Sequence, residues 1–306
     1  MFNIIKDNLQ ILNEAEVCAM STASYYKSLL NPQHLYDMGI TGKDMVCAVI
    51  DSGCDFKHPA FKDKIIGGCN FTKEGKGPED FSDLNGHGTH VAGLISSNPY
   101  LSFNGGIAPD AKLLICKALG ENGSGSFNSI INAINYATDQ NVDVINMSLG
   151  GGVDIPELHE AVKRAVNKNI TICCASGNEA NGDKGLVDEL CYPGAYREVI
   201  EVGAINKRKE PSRFSNSNLF VDCVCYGERI LSAYLNNSYA LLDGTSQATP
   251  LVSGCILLLA EWFTKEFGRR PTNDELYAAL IKCSNTPLTG YNRKQIGFGY
   301  IDLGKI

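Results

Sequence analysis

The stretch at residues 142–177, VDVINMSLGGGVDIPELHEAVKRAVNKNITICCASG, predicts a strand, a helix and a second strand in succession. Residues 142–147 are largely apolar and run into a glycine-rich loop. The helix has Pro156 near its start, and its apolar residues recur at intervals of three and four along one face. Thr171–Ala175 is predicted to be the second strand. A strand–helix–strand unit of this kind is typical of a parallel sheet.

The same order of elements recurs towards the N-terminus. Residues 46–50 form a continuous apolar run, as expected of a strand covered on both faces. Lys112–Lys117 is a further predicted strand, and residues 128–140 have the period of a helix. Successive strand–loop–helix units indicate right-handed parallel crossovers. The predicted fold class is therefore α/β, a three-layer, doubly wound, mostly parallel sheet with helices on both faces.

The last third of the chain adds two further features. Residues 251–263 are hydrophobic almost all round, which is typical of a helix buried inside a large domain. Asn236-Asn237 lies between two strand-like segments and predicts a hairpin turn. No linker-like segment interrupts the chain, so we expect one domain over residues 31–306. Residues 1–30 have no clear period and are either a loosely attached arm or a regulatory extension.

Composition and charge argue against several classes of protein. The net charge is −7 with no basic block, which is a poor match for nucleic-acid binding. The first 13 residues contain Lys6 and Asp7 and no apolar core of a signal peptide. The apolar run at residues 255–260 is far too short to span a membrane. These features predict a cytoplasmic protein without nucleic-acid or membrane partners.

The twelve cysteines predict the same location. Most lie inside apolar segments, no C-x-x-C pair is present, and the histidines are not spaced with cysteines as in a zinc site. The cysteines are therefore better interpreted as reduced thiols that pack as small buried hydrophobic residues.

Three polar residues stand at strand ends or helix starts. Ser246 lies at the head of the buried helix, where it is either a helix cap or a nucleophile at the positive end of the helix dipole. Asp51 follows the strand at residues 46–50 and is either a ligand-binding carboxylate at a strand end or a turn aspartate. His87 and His90 lack the acidic residue of an H-E-x-x-H metal motif. A single catalytic histidine, His87, with His90 as a structural partner fits better.

The order Asp51, His87, Ser246 is the order found in subtilisin and differs from those of chymotrypsin and the α/β-hydrolases. The surrounding segments resemble the three signature blocks of the subtilisin-like (subtilase) serine proteases, and they lie at residues 51–53, 86–93 and 244–250. The resemblance extends from about Tyr36 to the C-terminus. Three further segments are most similar to the bacterial intracellular subtilisins, namely residues 65–68, 187–190 and 214–218.

This resemblance implies a serine endopeptidase that forms an acyl-enzyme intermediate. Ser246 would be the nucleophile, His87 its base and Asp51 the group that orients the imidazole. Asn178 and the Ser246 backbone N–H would form the oxyanion hole. A peptide would add as a strand along two edges and enter the S1 pocket, and the family's substrate-binding residues correspond to Gly123, Ser124, Gly125, Ser148, Leu149, Gly150, Ala175, Ser176, Gly177 and Cys191. The family also has a cis proline where Tyr192-Pro193 stands.

The sequence departs from the family pattern at several positions. Gln247 replaces a methionine beside the nucleophile, so activity should survive mild peroxide. Cys191 replaces a glycine of the S1 pocket and predicts a shallower pocket with some sensitivity to thiol reagents. Ala60 and Tyr100 stand where the family builds its strong calcium site. No cofactor is therefore required, although calcium is allowed, and little stabilisation by calcium is expected.

The leading functional hypothesis is that the protein is an endopeptidase that processes proteins or peptides inside the cell. A dedicated protease that removes leader peptides is the alternative, and an inactive scaffold that only binds peptides is the third hypothesis. The expected partner is a peptide or protein substrate. A homodimer remains open because intracellular relatives dimerise.

Overall fold

A computed structural model describes residues 1–4, 7–19, 25–180, 187–285 and 289–306. Its strands are β1 Phe2–Asn3, β2 Asp7–Leu12, β3 Val46–Asp51, β4 Ile65–Asn70, β5 Lys112–Lys117, β6 Ser124–Gly125, β7 Val144–Met147, β8 Thr171–Ala175, β9 Ile200–Ile205, β10 Val221–Tyr226, β11 Ile230–Tyr234, β12 Ser238–Asp243, β13 Ser284–Asn285 and β14 Tyr300–Ile301. Its α-helices are α1 Glu14–Ala19, α2 Tyr25–Leu30, α3 Gln33–Asp37, α4 His87–Ile95, α5 Phe127–Asp139, α6 Pro156–Asn167, α7 Thr245–Phe267, α8 Asn273–Cys283 and α9 Arg293–Ile296.

Nine strands form the central sheet, in the order β13-β14-β10-β9-β8-β7-β3-β5-β4. The pairs from β10 to β4 are parallel, and β13 pairs antiparallel with β14. The chain fills the sheet on one side of β3 with β4 and β5, and then crosses to β7 on the other side. The predicted doubly wound α/β fold is confirmed. Its switch point lies at β3, where open sheets of this kind bind ligands.

Two apolar cores cover the two faces of the sheet. Neighbouring residues of β3 alternate between them, because Val49 belongs to one core and Ile50 to the other. The first core is packed under α4 and α7 and includes Leu94 and Leu257. The second lies under α5 and α6 and includes Ile130 and Val162, among other residues. The three-layer arrangement follows directly from this alternation.

The N-terminal extension is docked on the domain along its described length. Its second strand, β2, pairs with β12, so that β11, β12 and β2 form a separate antiparallel sheet. The predicted hairpin turn between β11 and β12 is confirmed at Asn236 and Asn237, which both have a φ of 58°. Leu12, Val17 and Leu30 of the extension are buried in the first core. The described residues of the extension are therefore not a loosely attached arm.

Candidate active site

Asp51 and His87 are brought together by the end of β3 and the start of α4. His87 Nδ1 lies 2.9 Å from Asp51 Oδ1 and 3.0 Å from Oδ2, and both side chains are buried. The Ser52 backbone N–H also donates to Oδ1, at 2.7 Å. Because a carboxylate accepts the proton of Nδ1, the other ring nitrogen, Nε2, is left as an acceptor. Within the described chain, His87 Nε2 is buried without a hydrogen-bond partner.

Asp83 fixes the first turn of the helix that carries His87. It accepts hydrogen bonds from the backbone N–H groups of Gly86 at 2.8 Å and Thr89 at 2.9 Å, and from the Thr89 hydroxyl at 2.6 Å. Gly86 is the N-cap and has no side chain to cap the helix. The Asp83 carboxylate instead accepts hydrogen bonds from backbone N–H groups that have no partner within the helix. Sequence reasoning missed Asp83, although a carboxylate three residues before a glycine N-cap is a usable signal.

His90 lies on the same helix but has a structural role. Its Nε2 lies 3.0 Å from the Ile230 carbonyl oxygen and 3.1 Å from that of Ala240, in the two strands of the hairpin. Burial, with a smaller effect of nearby His87, lowers the pKa of His90 to about 3. The ring is therefore neutral at physiological pH and donates from Nε2. These contacts support the interpretation of His90 as a structural partner.

Ser246 is the second residue of α7 and does not cap it. Its Oγ donates to the carbonyl oxygen of Ser148 at 3.2 Å, and the Ser148 hydroxyl donates back to the Ser246 carbonyl at 2.8 Å. The second bond has a clear cause, since Pro250 has no N–H for the carbonyl four residues before it. No hydrogen bond joins Ser246 Oγ to His87 Nε2 in the described structure. The Ser246 hydroxyl is therefore directed towards Ser148 in this structure.

The amide of Asn178 is oriented by the turn that precedes Ser246. Its Oδ1 accepts from the Thr245 backbone N–H and from the Thr245 hydroxyl, both at 2.9 Å. The amide nitrogen, Nδ2, is left free of these contacts, and Asn178 lines the same cavity as Ser246. This is the arrangement that a side-chain donor to an oxyanion requires.

The cavity beside Ser246 is lined by five of the ten residues predicted to bind substrate. Leu149, Gly150, Ala175, Gly177 and Cys191 all line it, and the Tyr192–Pro193 peptide bond that follows is cis, as predicted. Ser176, a further predicted member, is not among the lining residues; it is fully buried.

The Cys191 thiol lies against Gly150 in this cavity. A Cβ atom on Gly150 would collide with Cys191 Sγ, so the thiol is packed directly against Gly150 in this cavity. Burial raises the pKa of the Cys191 thiol, and the nearby carboxylates of Glu179 and Glu201 raise it further. A thiol with a raised pKa is a weak nucleophile at neutral pH. The expected sensitivity to thiol reagents is therefore small at this position.

Glu201 is an acidic residue at this wall that sequence reasoning did not identify. It is fully buried in β9, and its Oε1 accepts from Asn218 Nδ2 at 3.1 Å. A Cβ on Gly194 would lie 3.1 Å from Oε1 and 2.8 Å from the Ala175 carbonyl, so the carboxyl group stands directly behind the pocket wall. Desolvation raises the pKa of Glu201 to about 8.

The N-terminal strand lies in the predicted substrate cleft. Phe2 is opposite Gly125 in an antiparallel pair, and the Ile4 backbone N–H donates to the Gly123 carbonyl at 3.1 Å. Phe2 is buried, with its ring centroid 5.1 Å from that of Phe127. Ile4 lines the cavity that contains Ser246. Residues 123–125 thus hold a peptide segment as an added strand, the mode of binding predicted for substrate.

The loop that would form the family's strong calcium site does not fit a hard cation. Ala60 is buried and supplies no side-chain oxygen there. The Tyr100 hydroxyl donates to Glu14 Oε1 at 2.8 Å, and its ring is stacked on Tyr239. Across the described residues, no group of three or more histidine, cysteine, aspartate or glutamate residues is placed to hold a metal ion. Calcium takes six to eight oxygen ligands, and here Ala60 has no side-chain oxygen while the Tyr100 hydroxyl is already hydrogen-bonded to Glu14.

A histidine held by a buried aspartate lies at the switch point of a doubly wound sheet, and a serine shares a cavity with an amide donor. This combination of groups is typical of the serine hydrolases. Residues 42–300 match the model of the Subtilase family. The chain is 49% identical over 256 residues to the "Major intracellular serine protease" of Bacillus subtilis (strain 168), covering 83% of this chain and 80% of that protein. It is 51% identical over 263 residues to the "Intracellular serine protease" of Paenibacillus polymyxa, covering 86% and 80%. "Subtilisin E" of Bacillus subtilis (strain 168) is 37% identical over 235 residues, covering 77% and 60%.

The chain belongs to the subtilase family and is a subtilisin-like serine endopeptidase. The predicted resemblance to intracellular subtilisins is confirmed by these identities. The helices of the described part of the chain include none of the length and apolarity needed to cross a membrane.

Proposed function

We propose that this protease cleaves intracellular proteins or peptides through an acyl-enzyme on Ser246. The observation that carries the proposal is the unpartnered Nε2 of His87, which is buried while Asp51 holds the opposite nitrogen. In this arrangement His87 is ready to accept one proton. The names of the two relatives with about half of their residues identical support the intracellular location.

The proposed steps use groups whose positions are described above. Ser246 Oγ leaves the Ser148 carbonyl, transfers its proton to His87 Nε2 and attacks the substrate carbonyl carbon. Asn178 Nδ2 and the Ser246 backbone N–H stabilise the oxyanion of the tetrahedral intermediate. His87 then protonates the leaving amine, and a water molecule hydrolyses the acyl-enzyme by the same proton transfers.

Covalent labelling tests the reaction class directly. We expect a fluorophosphonate to label the full chain at Ser246, and the Ser246→Ala variant to remain unlabelled. The Ser253→Ala variant, which removes a buried hydroxyl of the same helix that donates to Asn146, is the matched control and should still be labelled. No labelling of either the unmodified chain or a Phe2→Asp variant, in which the N-terminal strand should be released, would support the inactive scaffold, whereas equal labelling of the Ser246→Ala protein would mean that another serine reacts.

We further propose that residues 1–30 are an inhibitory extension. The pairing of Phe2 with Gly125 and the position of Ile4 beside Ser246 support this, because substrate needs the same backbone groups. Replacing buried Phe2 by Asp should release the strand and raise kcat/KM by roughly tenfold or more, the equivalent of one lost aromatic anchor. Leu9→Asp, at a position 40% exposed on β2, is the control and should leave kcat/KM unchanged.

Dedicated maturation of a substrate is the second candidate, and the Cys191 thiol favours it. A thiol that is packed against Gly150 in the S1 cavity narrows the range of side chains that fit. Cleavage-site profiling on a whole proteome separates the two candidates. Cuts at many unrelated sites indicate general turnover, whereas one narrow motif indicates a dedicated maturation protease.

A further inference from the structure

An open groove of about 770 Å³ begins where the N-terminal strand enters the cleft. It lies between the segment after β4 and the first turn of α5. Phe71, Ala118 and Phe127 contribute apolar surface, and Asn128 and Lys73 contribute polar groups. Met1 of the extension also lines it. The groove is separate from the cavity that contains Ser246 and Cys191.

The direction of the docked strand determines which part of a substrate would reach this groove. The chain runs from Phe2, opposite Gly125, to Ile4, which lines the Ser246 cavity. Met1 precedes Phe2 and lines the groove. A substrate bound in the same register and direction would therefore send its residues upstream of the Phe2 position into the groove.

The two charged side chains that line the groove, Glu74 and Lys73, differ in whether a group of opposite charge lies near them. Glu74 accepts two contacts from the Glu121 backbone N–H, at 2.9 and 3.1 Å, and lies 3.8 Å from the Lys117 ammonium. Lys73 is exposed, and no described carboxylate lies within ion-pair distance of it. The uncompensated charge of the groove is therefore positive.

We propose that this groove is a distal substrate subsite that binds residues upstream of the Phe2 position, with Lys73 selecting an acidic side chain there. The proposal rests on the proposed function, since it names the substrates of the same cleft. It assigns to this protease a preference for long peptides that carry aspartate or glutamate several residues before the scissile bond.

A nested peptide series tests the proposal on the full chain. One cleaved sequence is given four to eight residues before the scissile bond, and the added residues are alanine, aspartate or lysine. We expect kcat/KM to rise roughly fivefold as two or more residues are added beyond the fourth, because apolar surface of the groove is then covered. Aspartate should exceed lysine by about two- to fivefold at low salt, with the difference reduced at high salt. Occlusion by the extension affects all peptides equally and leaves these ratios intact.

The variants Lys73→Glu and Lys76→Glu distinguish an effect of the subsite on the preference for acidic residues from an effect of the overall electrostatic field of the protein. Both lysines are exposed on the same loop, but Lys76 does not line the groove. Lys73→Glu should reverse the preference to lysine, and Lys76→Glu should preserve the preference for aspartate. The proposal is overturned if chain length has no effect, or if both variants change the preference equally.

Measuring the binding of the same peptides tests the subsite independently of the proposed reaction mechanism. Fluorescent versions of the peptides are titrated into the Ser246→Ala protein, which needs no turnover. The same ranking of affinities supports the subsite even if the reaction mechanism differs. Equal affinities for all peptides would overturn the subsite, while fluorophosphonate labelling of Ser246 would still support the proposed mechanism.

Discussion

The two walls of the cleft differ in how their buried carboxyl groups are satisfied. On the wall of β3 and α4, Asp51 and Asp83 each accept hydrogen bonds from neighbouring donors. On the opposite wall, one oxygen of Glu201 and the hydroxyl of Ser176 are buried without a partner among the described residues. A satisfied network holds its members in one arrangement, whereas unpaired buried groups are costly. The first wall thus holds both of its carboxylates fully hydrogen-bonded beside His87, whereas the second contains a carboxyl group with one oxygen unpaired.

The largest effect is expected on the first wall, from Asp51→Asn. An amide at this position no longer holds the proton on His87 Nδ1, so Nε2 loses its role as acceptor. We expect kcat to fall about ten-thousand-fold, measured with one peptide substrate under saturating conditions. Asp55→Asn, where the carboxylate contacts the Asn236 backbone outside the site, should retain activity. A loss of only a few-fold would show that the buried pair does not orient the base.

Asn178→Ala should have the next largest effect and changes the opposite wall. Removing Nδ2 deletes one donor to the oxyanion, so kcat should fall by roughly 10²–10³ while KM changes little. Thr245→Val is the control, because it removes a hydroxyl bonded to Asn178 Oδ1 but leaves Nδ2 in place. If both variants lose activity equally, Asn178 acts on the turn before Ser246 and not on the transition state.

Cys191→Gly should change substrate preference more than rate. Without the thiol packed against Gly150, the cavity opens to larger side chains before the scissile bond. We expect the ratio of kcat/KM for phenylalanine to that for alanine to rise about 10- to 200-fold. Cys69→Ala, a partly exposed cysteine at the sheet edge, should leave this ratio unchanged. An unmodified enzyme that already prefers large aromatic residues would contradict the interpretation of Cys191.

Glu201→Gln should alter stability as a function of pH. The folded-state pKa of Glu201 is raised to about 8 from an ordinary value of 4.5. The unfolded chain therefore releases this proton first, and the free energy of unfolding falls as the pH rises from about 4.5 to about 8. The slope is at most about 1.4 kcal/mol per pH unit.

Urea unfolding at pH 6 and pH 9 measures this effect. Relative to the unmodified protein, Glu201→Gln should be more stable at pH 9 than at pH 6. Glu160→Gln, which removes an exposed carboxylate paired with Lys163, should show no such gain. A pH-independent difference for Glu201→Gln would mean that this carboxyl group is ionised in the folded protein.

The smallest effect is expected outside both walls, from the removal of calcium. Ala60 and the Tyr100–Glu14 contact leave too few oxygen ligands in the loop for a hard cation. EDTA should therefore lower Tm by no more than about 2 °C, which is about 1.3 kcal/mol for a chain of 306 residues. A fall of many degrees, restored by calcium but not by magnesium, would show that a strong site exists.

Much of the fold could be predicted because its signals are local. The strand Lys112–Lys117 and the helix over residues 156–167 each follow from the spacing of apolar residues. Strands β1 and β2 could not be predicted, since their order comes from pairing with β6 and β12 far along the chain. Short strands that depend on a distant partner have no periodicity of their own.

For the active site, the sequence alone determined the family and thereby predicted the chemistry, because Asp51, His87, Ser246 and Asn178 stand in motifs whose order is specific to one family. The tertiary structure decided what those motifs do not encode. It showed that Ser246 Oγ bonds to Ser148, that Phe2 lies in the cleft and that Glu201 stands behind Gly194. The physical reason is that a hydrogen bond, an occluding strand and a desolvated carboxyl group each depend on residues brought together from distant parts of the chain. The burial of each group and its hydrogen-bond partners arise only when the sheet is assembled. They determine the orientation and the pKa of the side chain.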